Sequence, residues 1–524
     1  MTASSNTPTH LGIVYLVGGG PGDPGLLTLR GAELIATADV ILHDELVHPA
    51  LLDHAKPDAD VRFVGKRGAD RSSKQAKQIA IEEELVALAR AGKRVVRLKG
   101  GDPFLFGRGS EEAEALAKAG IPFEVVPGVC SPLGATAYAG FSLTHREHAS
   151  SVVFVSGTTR AGKLYDFAEL ASIQGTICVL MGMHNIDAVT RGLLGPGKRA
   201  PETPAAVIQW GTWPNQRVVT GRLDEIAEHA RAANVGSPGI IVVGAAAARR
   251  DDLRWFDKMP LFGKRVLVLR PRDQADDVVN VIRRRGGEAL HWPAIEIVPP
   301  ADATPMQALV QSLGDYDVVV LTSENSVDRL FDTIASEGLD ARAFGRAKVA
   351  AVGTSTMEAL AKRGIRADIV PPEFHGESLA EAILENDSVK RRLSSQLPVR
   401  VAFPRARVAR EVLPEKLRSA GCEVTLVVAY ETKKAGPEKH AALVQMLEQR
   451  RVDVILLSAS STADALADAL GDRLMELLSG VFVASIGDIT TASARKRGID
   501  VAVTAKTSTM EGLVLAVEES LKGF

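Results

Sequence analysis

Short apolar runs recur along this chain, separated by amphipathic stretches rich in Ala, Glu and Arg. Residues 13–17 (IVYLV), 40–42 (VIL), 95–98 (VVRL), 152–155 (VVFV), 177–180 (ICVL), 240–243 (IIVV) and 266–269 (VLVL) read as strands. Their β-branched side chains suit a pleated, buried surface. The segments 76–91 and 111–119 carry the spacing of helices. Strand and helix alternate almost throughout, which predicts an α/β protein with largely parallel sheets.

The pattern breaks over 249–264, RRDDLRWFDKMPLFGK, where charges give way to Trp, Phe, Pro and Gly before a new strand begins. This places a tail at 1–10, a first domain at 11–257, a linker at 258–263 and a second domain at 264–524. The second domain repeats itself. RVLVLRPR at Arg265 returns as RVAFPRAR at Arg400, LTSENSVDRL at Leu321 as LLSASSTADAL at Leu456, and AVGTST at Ala351 as SIGDIT at Ser485, at offsets of 135, 135 and 134 residues. Constant spacing over three matches predicts two similar α/β lobes with a cleft between them. One lobe is expected at about 264–297 plus 430–524, the other at about 298–429. The β-rich segments 289–300 and 423–433 are expected to pair as a two-stranded connector.

Composition narrows the class. With 524 residues, 46% hydrophobic and 24% charged, the chain is an ordinary globular protein with room for several cores. A net charge of −2 offers no general attraction to nucleic acid or anionic membranes. Cys130, Cys178 and Cys422 lie far apart with no CxxC, which argues against a zinc ribbon and for a reducing cytoplasm. The tail lacks the apolar core of a signal peptide, and no apolar run has the length of a membrane span.

Candidate chemistry gathers at strand ends, where α/β proteins place ligands. The loop 18–25, GGGPGDPG, has Asp23 where a dinucleotide fingerprint needs its last glycine, and it lacks a P-loop lysine. An NAD-linked reading therefore fails. A sulfonium or adenosyl ligand, which needs no phosphate cradle, suits the loop better; a plain βα turn is the alternative. The stretch 94–112, RVVRLKGGDPFLFGRGSEE, has the same build. Asp44 and Lys66 each follow a strand and offer a proton acceptor and its partner, or else two solvated charges. Arg108 and Glu111 form either a helix-start ion pair or a site for a substrate carboxylate. His145-Arg146 is either a polar turn or a carboxylate clamp, and Met181 either core filler or pocket wall. In the second domain Thr322, Ser323, Gly353, Thr354, Ser355, Ser458, Ser460, Gly487 and Asp488 sit where hydroxyls and backbone N–H groups either cap helices or hold anions. Tyr430 lies in the connector, as an acid or as a packed ring.

The segments YLVGGGPGDPGLLTLRG, ADVILHDELV, FVGKRG, GKRVVRLKGGDPFLFGRGSEEAEAL, AGIPFEVVPGV, AYAGFSLTHREHASSV, VLMGM and QRVVTG resemble uroporphyrinogen-III C-methyltransferase of the tetrapyrrole methylase family over about 11–257. From about 264 to 520, LVLRPR, LTSENSV, AVGTST, PRARVAREVLPEKLRSAGCEV with YET, and SIGDITTASARKRG are similar to uroporphyrinogen-III synthase. The first resemblance implies a two-subdomain methylase fold, S-adenosylmethionine as cofactor with S-adenosylhomocysteine as its product, and a homodimer formed through this half. It implies that Pro21, Gly100, Gly101, Asp102, Leu105, Cys130, Ser131, Met181 and Gly211 hold the cofactor, that Asp44 accepts and Lys66 donates a proton, and that Arg108 and Glu111 handle substrate. Ser110 stands where the family has glycine, Cys130 departs from its usual Thr or Ser, and 68–79 runs about three residues longer than usual. The second resemblance implies a two-lobed fold with a two-stranded connector, Tyr430 as acid, and substrate groups at Thr322, Ser323, Gly353, Thr354, Ser458 and Gly487. Together they imply a bifunctional enzyme acting on hydroxymethylbilane and uroporphyrinogen III, without metal, nucleic acid or membrane. The alternative is a methyltransferase fused to a non-catalytic tetrapyrrole sensor.

Overall fold

The computed structural model describes residues 11–65, 74–158, 165–195, 198–271 and 274–522. They form two compact units. One runs to Lys264 and takes in Ile282–Glu288; the other holds Arg265–Val281 and the chain from Ala289 on.

The first unit contains two five-stranded sheets. β1 (Ile13–Gly18), β2 (Val40–His43), β3 (Asp60–Phe63), β4 (Arg94–Lys99) and β5 (Phe123–Val126) form an all-parallel sheet in the order β3-β2-β4-β1-β5. Helices cover both faces, so β1 and β2 are apolar at nearly every position rather than alternating, while β4 carries Arg97 and Lys99 among its apolar residues. Tyr15, Val17, Ile41, Val96 and Leu98 point into one core, and Val14, Leu16, Val40, Leu42 and Val95 into the other.

β6 (Val152–Ser156), β7 (Thr176–Leu180), β8 (Pro204–Gln209), β9 (Arg217–Arg222) and β10 (Gly239–Val243) form the second sheet, ordered β6-β7-β10-β8-β9. Here the expectation of largely parallel pairing fails. Only β6 and β7 are parallel; β10 runs antiparallel to both β7 and β8, and β8 antiparallel to β9. For β8 and β9 the reason lies in the connection: they are joined by residues 210–216 alone, too short for the helical crossover that parallel neighbours require.

The second unit also holds two five-stranded sheets. β11 (Arg265–Val268), β12 (Glu288–His291), β18 (Val454–Leu457), β19 (Phe482–Ser485) and β20 (Val503–Thr504) pair in the order β12-β11-β18-β19-β20. β13 (Ile295–Val298), β14 (Val318–Leu321), β15 (Lys348–Ala351), β16 (Val399–Ala406) and β17 (Cys422–Lys434) pair in the order β13-β17-β16-β14-β15. The three sequence repeats fall on corresponding strands: β11-β18-β19 in one sheet and β16-β14-β15 in the other, parallel in both. β13 lies antiparallel along the end of the long β17, from Ile295 beside Lys434 to Val298 beside Glu431, so the second part of the segment 289–300 pairs with the end of β17, while its first residues belong to β12 of the other sheet.

Candidate functional site

Three loops at the carboxyl ends of β1, β4 and β5 meet backbone to backbone. A Cβ on Gly128 would lie 2.3 Å from the Gly101 carbonyl oxygen and 2.8 Å from the Gly18 Cα, so only glycine fits there. Gly101 donates its N–H to the Gly20 carbonyl at 2.7 Å, and Gly20 donates to the Gly101 carbonyl at 3.2 Å. Asp102 locks the assembly: its carboxylate accepts the N–H of Phe104 at 2.8 Å and that of Gly128 at 3.0 Å. Asp23 joins the first loop to the rest of the unit, accepting the Tyr138 hydroxyl at 2.6 Å while its own N–H reaches the Thr212 hydroxyl at 2.9 Å.

These loops form one wall of a cavity of about 480 Å³. The other wall comes from the ends of β7, β8 and β10, through Leu180, Met181, Ile208, Trp210, Gly211, Gly239 and Ile240. Pro21, Gly100, Gly101, Asp102, Leu105, Cys130, Ser131, Met181 and Gly211, widely spread in sequence, all line it. Met181 takes a left-handed backbone, with φ +56°, and stands 54% exposed rather than filling a core. Trp210 at φ +50° and Thr212 at φ +71° share this strain, which persists only where the surroundings impose it. The sequence reading missed Trp210 and Trp213, although the tryptophan pair in QWGTW, straddling a glycine, was a signal. It also missed Thr158, His184 and Asn185, which supply polar groups to the wall. Cys130 is buried, and burial raises its thiol pKa. It enters the wall as an uncharged residue at the start of the helix Ser131–Ala139.

Asp44 follows β2, two residues before Leu46, which lines the cavity. It is not a freely solvated charge: Arg97 donates to its Oδ1 at 2.6 Å. Lys66 lies outside the described residues. Arg108 and Glu111 form an exposed ion pair, Nε to Oε1 at 3.0 Å, at the start of the helix Gly109–Lys118 and outside the cavity wall. His145 closes a turn with Ala149 and stacks on His148 at 4.5 Å, also outside the wall. With Glu147 these histidines bring ligand atoms within 4.8 Å of one another. However, the His145 Nδ1 accepts the Glu147 N–H at 3.2 Å, which leaves the proton on the other ring nitrogen and makes the turn a poor ligand set.

In the second unit the candidate groups sit at the carboxyl ends of parallel strands. Thr322 and Ser323 follow β14, Gly353 and Thr354 follow β15, Ser458 follows β18, and Gly487 follows β19. Ser323 caps the helix Glu324–Ser336 by accepting the Ser326 N–H at 3.1 Å. Its hydroxyl also lies 3.1 Å from that of Tyr430, whose ring is buried in the core. Gly353 and Gly487 begin the helices Thr354–Lys362 and Asp488–Lys496 and leave their first N–H groups open to a ligand. Among the described residues no helix is long and apolar enough to cross a membrane.

The chain matches the family described as Tetrapyrrole (Corrin/Porphyrin) Methylases over residues 13–227 and Uroporphyrinogen-III synthase HemD over 276–515. A porphyrin biosynthesis protein HemD of Ruminiclostridium josui is 34% identical over 505 residues, covering 96% of this chain and 97% of that protein. A uroporphyrinogen-III C-methyltransferase of Bacillus subtilis is 36% identical over 366 residues, covering 69% of this chain and 74% of its own. A crystal structure of uroporphyrin-III C-methyltransferase from Thermus thermophilus, complexed with S-adenosylhomocysteine, is 39% identical with a TM-score of 0.40, covering 45% of this chain and 99% of that one.

Proposed function

The chain belongs to the porphyrin-biosynthesis HemD family and joins a tetrapyrrole methylase to a uroporphyrinogen-III synthase; from that premise we propose that it carries out two consecutive steps. The second unit closes hydroxymethylbilane to uroporphyrinogen III, with loss of water and inversion of ring D. The first unit then methylates uroporphyrinogen III at C2 and C7, giving precorrin-2.

The observation that carries the methylase reading is the convergence of nine residues from five separate segments on one cavity. Its volume of about 480 Å³ lies within the range of small-molecule sites. S-adenosylmethionine fits its chemistry: glycine backbone for close approach, Leu46, Leu105 and Ile240 for apolar parts, and Asp102, Thr158, His184 and Asn185 for polar ones. When bound, it supplies a methyl group on a sulfonium. The residues around it hold the two reactants in line and exclude water, which accounts for most of the acceleration of such a transfer. The pyrrole carbon that gains a methyl group makes the macrocycle shed a proton, and Asp44, at the end of β2 and two residues from Leu46 of the cavity wall, is the candidate acceptor.

The synthase reading rests on hydroxyls and free N–H groups at four strand ends. These suit substrate carboxylates, and folding a flexible bilane needs few catalytic side chains. Tyr430 is the candidate acid that assists loss of water.

Product analysis of the full-length chain tests both steps. Hydroxymethylbilane alone should give uroporphyrinogen III, and added S-adenosylmethionine should give a dimethylated product. Uroporphyrinogen I alone would show that the second unit is not a synthase.

A further inference from the structure

The parallel sheet of the first unit buries charges on an otherwise apolar face. Arg97 and Lys99, on the same side of β4, are 2% and 3% exposed, beside Val14, Leu16, Val40, Leu42 and Val95. Glu112, from the helix Gly109–Lys118, is fully buried. Its Oε1 accepts from Lys99 Nζ at 2.9 Å, Arg97 Nε at 3.2 Å and Gln78 Nε2 at 3.3 Å, while its Oε2 has no partner. The fourth charge is Asp44. Arg97 Nη2 donates to its Oδ1 at 2.6 Å, and Lys99 Nζ lies 4.0 Å from its Oδ2. Asp44 is 32% exposed, the one member of the cluster that reaches solvent.

Such a cluster is a poor way to stabilise a sheet. Desolvating two cations and two anions costs about as much as their attraction returns, and apolar residues of similar volume hold a strand at least as well. The rest of this face is built that way. What the ions add is direction: a guanidinium and an ammonium, fixed from below by Glu112, both face the carboxylate at the strand end.

We propose that Arg97, Lys99 and Glu112 are positioning residues for methyl transfer, which orient the Asp44 carboxylate. The proposal rests on the reading of Asp44 as proton acceptor. Burial pulls the Lys99 pKa below its ordinary value and the Arg97 charge adds to this, while Glu112 and Asp44 oppose both. The ammonium is therefore sustained by the two carboxylates. Among the described residues, the charged and titratable groups facing Asp44 are Arg97 and Lys99 from β4, Glu112 behind them, and His43 of β2, whose Nδ1 lies 3.2 Å from the Asp44 carbonyl oxygen.

A double-mutant cycle on the full chain tests this. Methylation of supplied uroporphyrinogen III is measured across pH for the native chain, Lys99→Met, Asp44→Asn and the double variant, with S-adenosylhomocysteine affinity and melting temperature alongside. Lys99→Met should lower kcat at least about tenfold, a fraction of a full acid–base contribution. Cofactor affinity should stay within about twofold, and the substitution should cost nothing further in the Asp44→Asn background. Lys99→Gln, which keeps a donor for Glu112, should behave likewise and guards against collapse of the site. Equal loss in both backgrounds, or no loss in the native one, would overturn the positioning role. Native kcat in Asp44→Asn alone would instead remove the proton-acceptor reading, and the positioning role with it.

Discussion

His48 shows how one side chain can tie stability to pH. It lies against Trp213, a residue of the cavity wall, with ring centroids 4.5 Å apart, and its Nδ1 accepts the Ala50 N–H at 3.1 Å. Burial pulls its pKa down to about 4 from an ordinary 6.5. Between those values the unfolded chain binds the proton and the folded chain does not, so stability rises with pH across that window. His48 therefore costs nothing above pH 6.5, and stability is lost as pH falls toward 4, by on the order of 2–3 kcal/mol. Denaturant unfolding of the methylase unit from pH 7 to pH 4 should show that slope. His48→Asn, which keeps an acceptor for Ala50 but does not titrate, should flatten it; an unchanged slope would assign it to other groups. Residues of this kind were hidden in the sequence, whereas the glycines of the cavity loops were not. GGGPGDPG and GGDP are legible because glycine and proline punctuate a chain regardless of what surrounds them. Arg97 and Lys99 were illegible because their burial depends on Glu112, which arrives from a different element. Within RVVRLK their charges read as an ordinary strand edge.

Elements followed the hydrophobic pattern most closely where a strand is buried on both faces. The apolar runs of β1, β4, β7 and β10 coincide with the strands, while their partners do not follow from them. Largely parallel pairing was expected, yet three of the four pairings in one sheet are antiparallel, and the short link between β8 and β9 accounts for one of them. The repeat was more informative than any single run, because it marks the strands that form the centre of each synthase sheet. At one such strand end, Ser323 serves both as helix cap and as neighbour of the Tyr430 hydroxyl, and the two roles separate by substitution. Ser323→Ala should cost about 1 kcal/mol of synthase-unit stability through loss of the cap. Tyr430→Phe leaves the cap in place and removes only the hydroxyl, so stability should change by no more than about 1 kcal/mol. Its synthase rate should nonetheless fall at least about tenfold if that hydroxyl assists loss of water. A Phe variant with native turnover would return Tyr430 to the core it packs in.

At the scale of the whole chain, each unit carries its own sheets and its own buried clusters. A ligand that binds one unit then stabilises that unit by mass action, and reaches the other only so far as the two unfold together. S-adenosylhomocysteine at about 100 times its Kd contributes about 2.7 kcal/mol to the state that binds it. For a unit of roughly 250 residues this corresponds to a rise of about 5–10 °C in melting temperature. Scanning calorimetry of the intact chain should therefore show one transition moving and another staying in place. Because Asp102 and Gly128 bind the cavity loops together, Asp102→Ala should abolish most of the shift without altering the stationary transition. The same cofactor analogue should leave conversion of hydroxymethylbilane to uroporphyrinogen III unaffected. A single transition that moves as a whole would mean that the two catalysts fold as one cooperative body. In that case a substitution in either site must be judged by its effect on both activities.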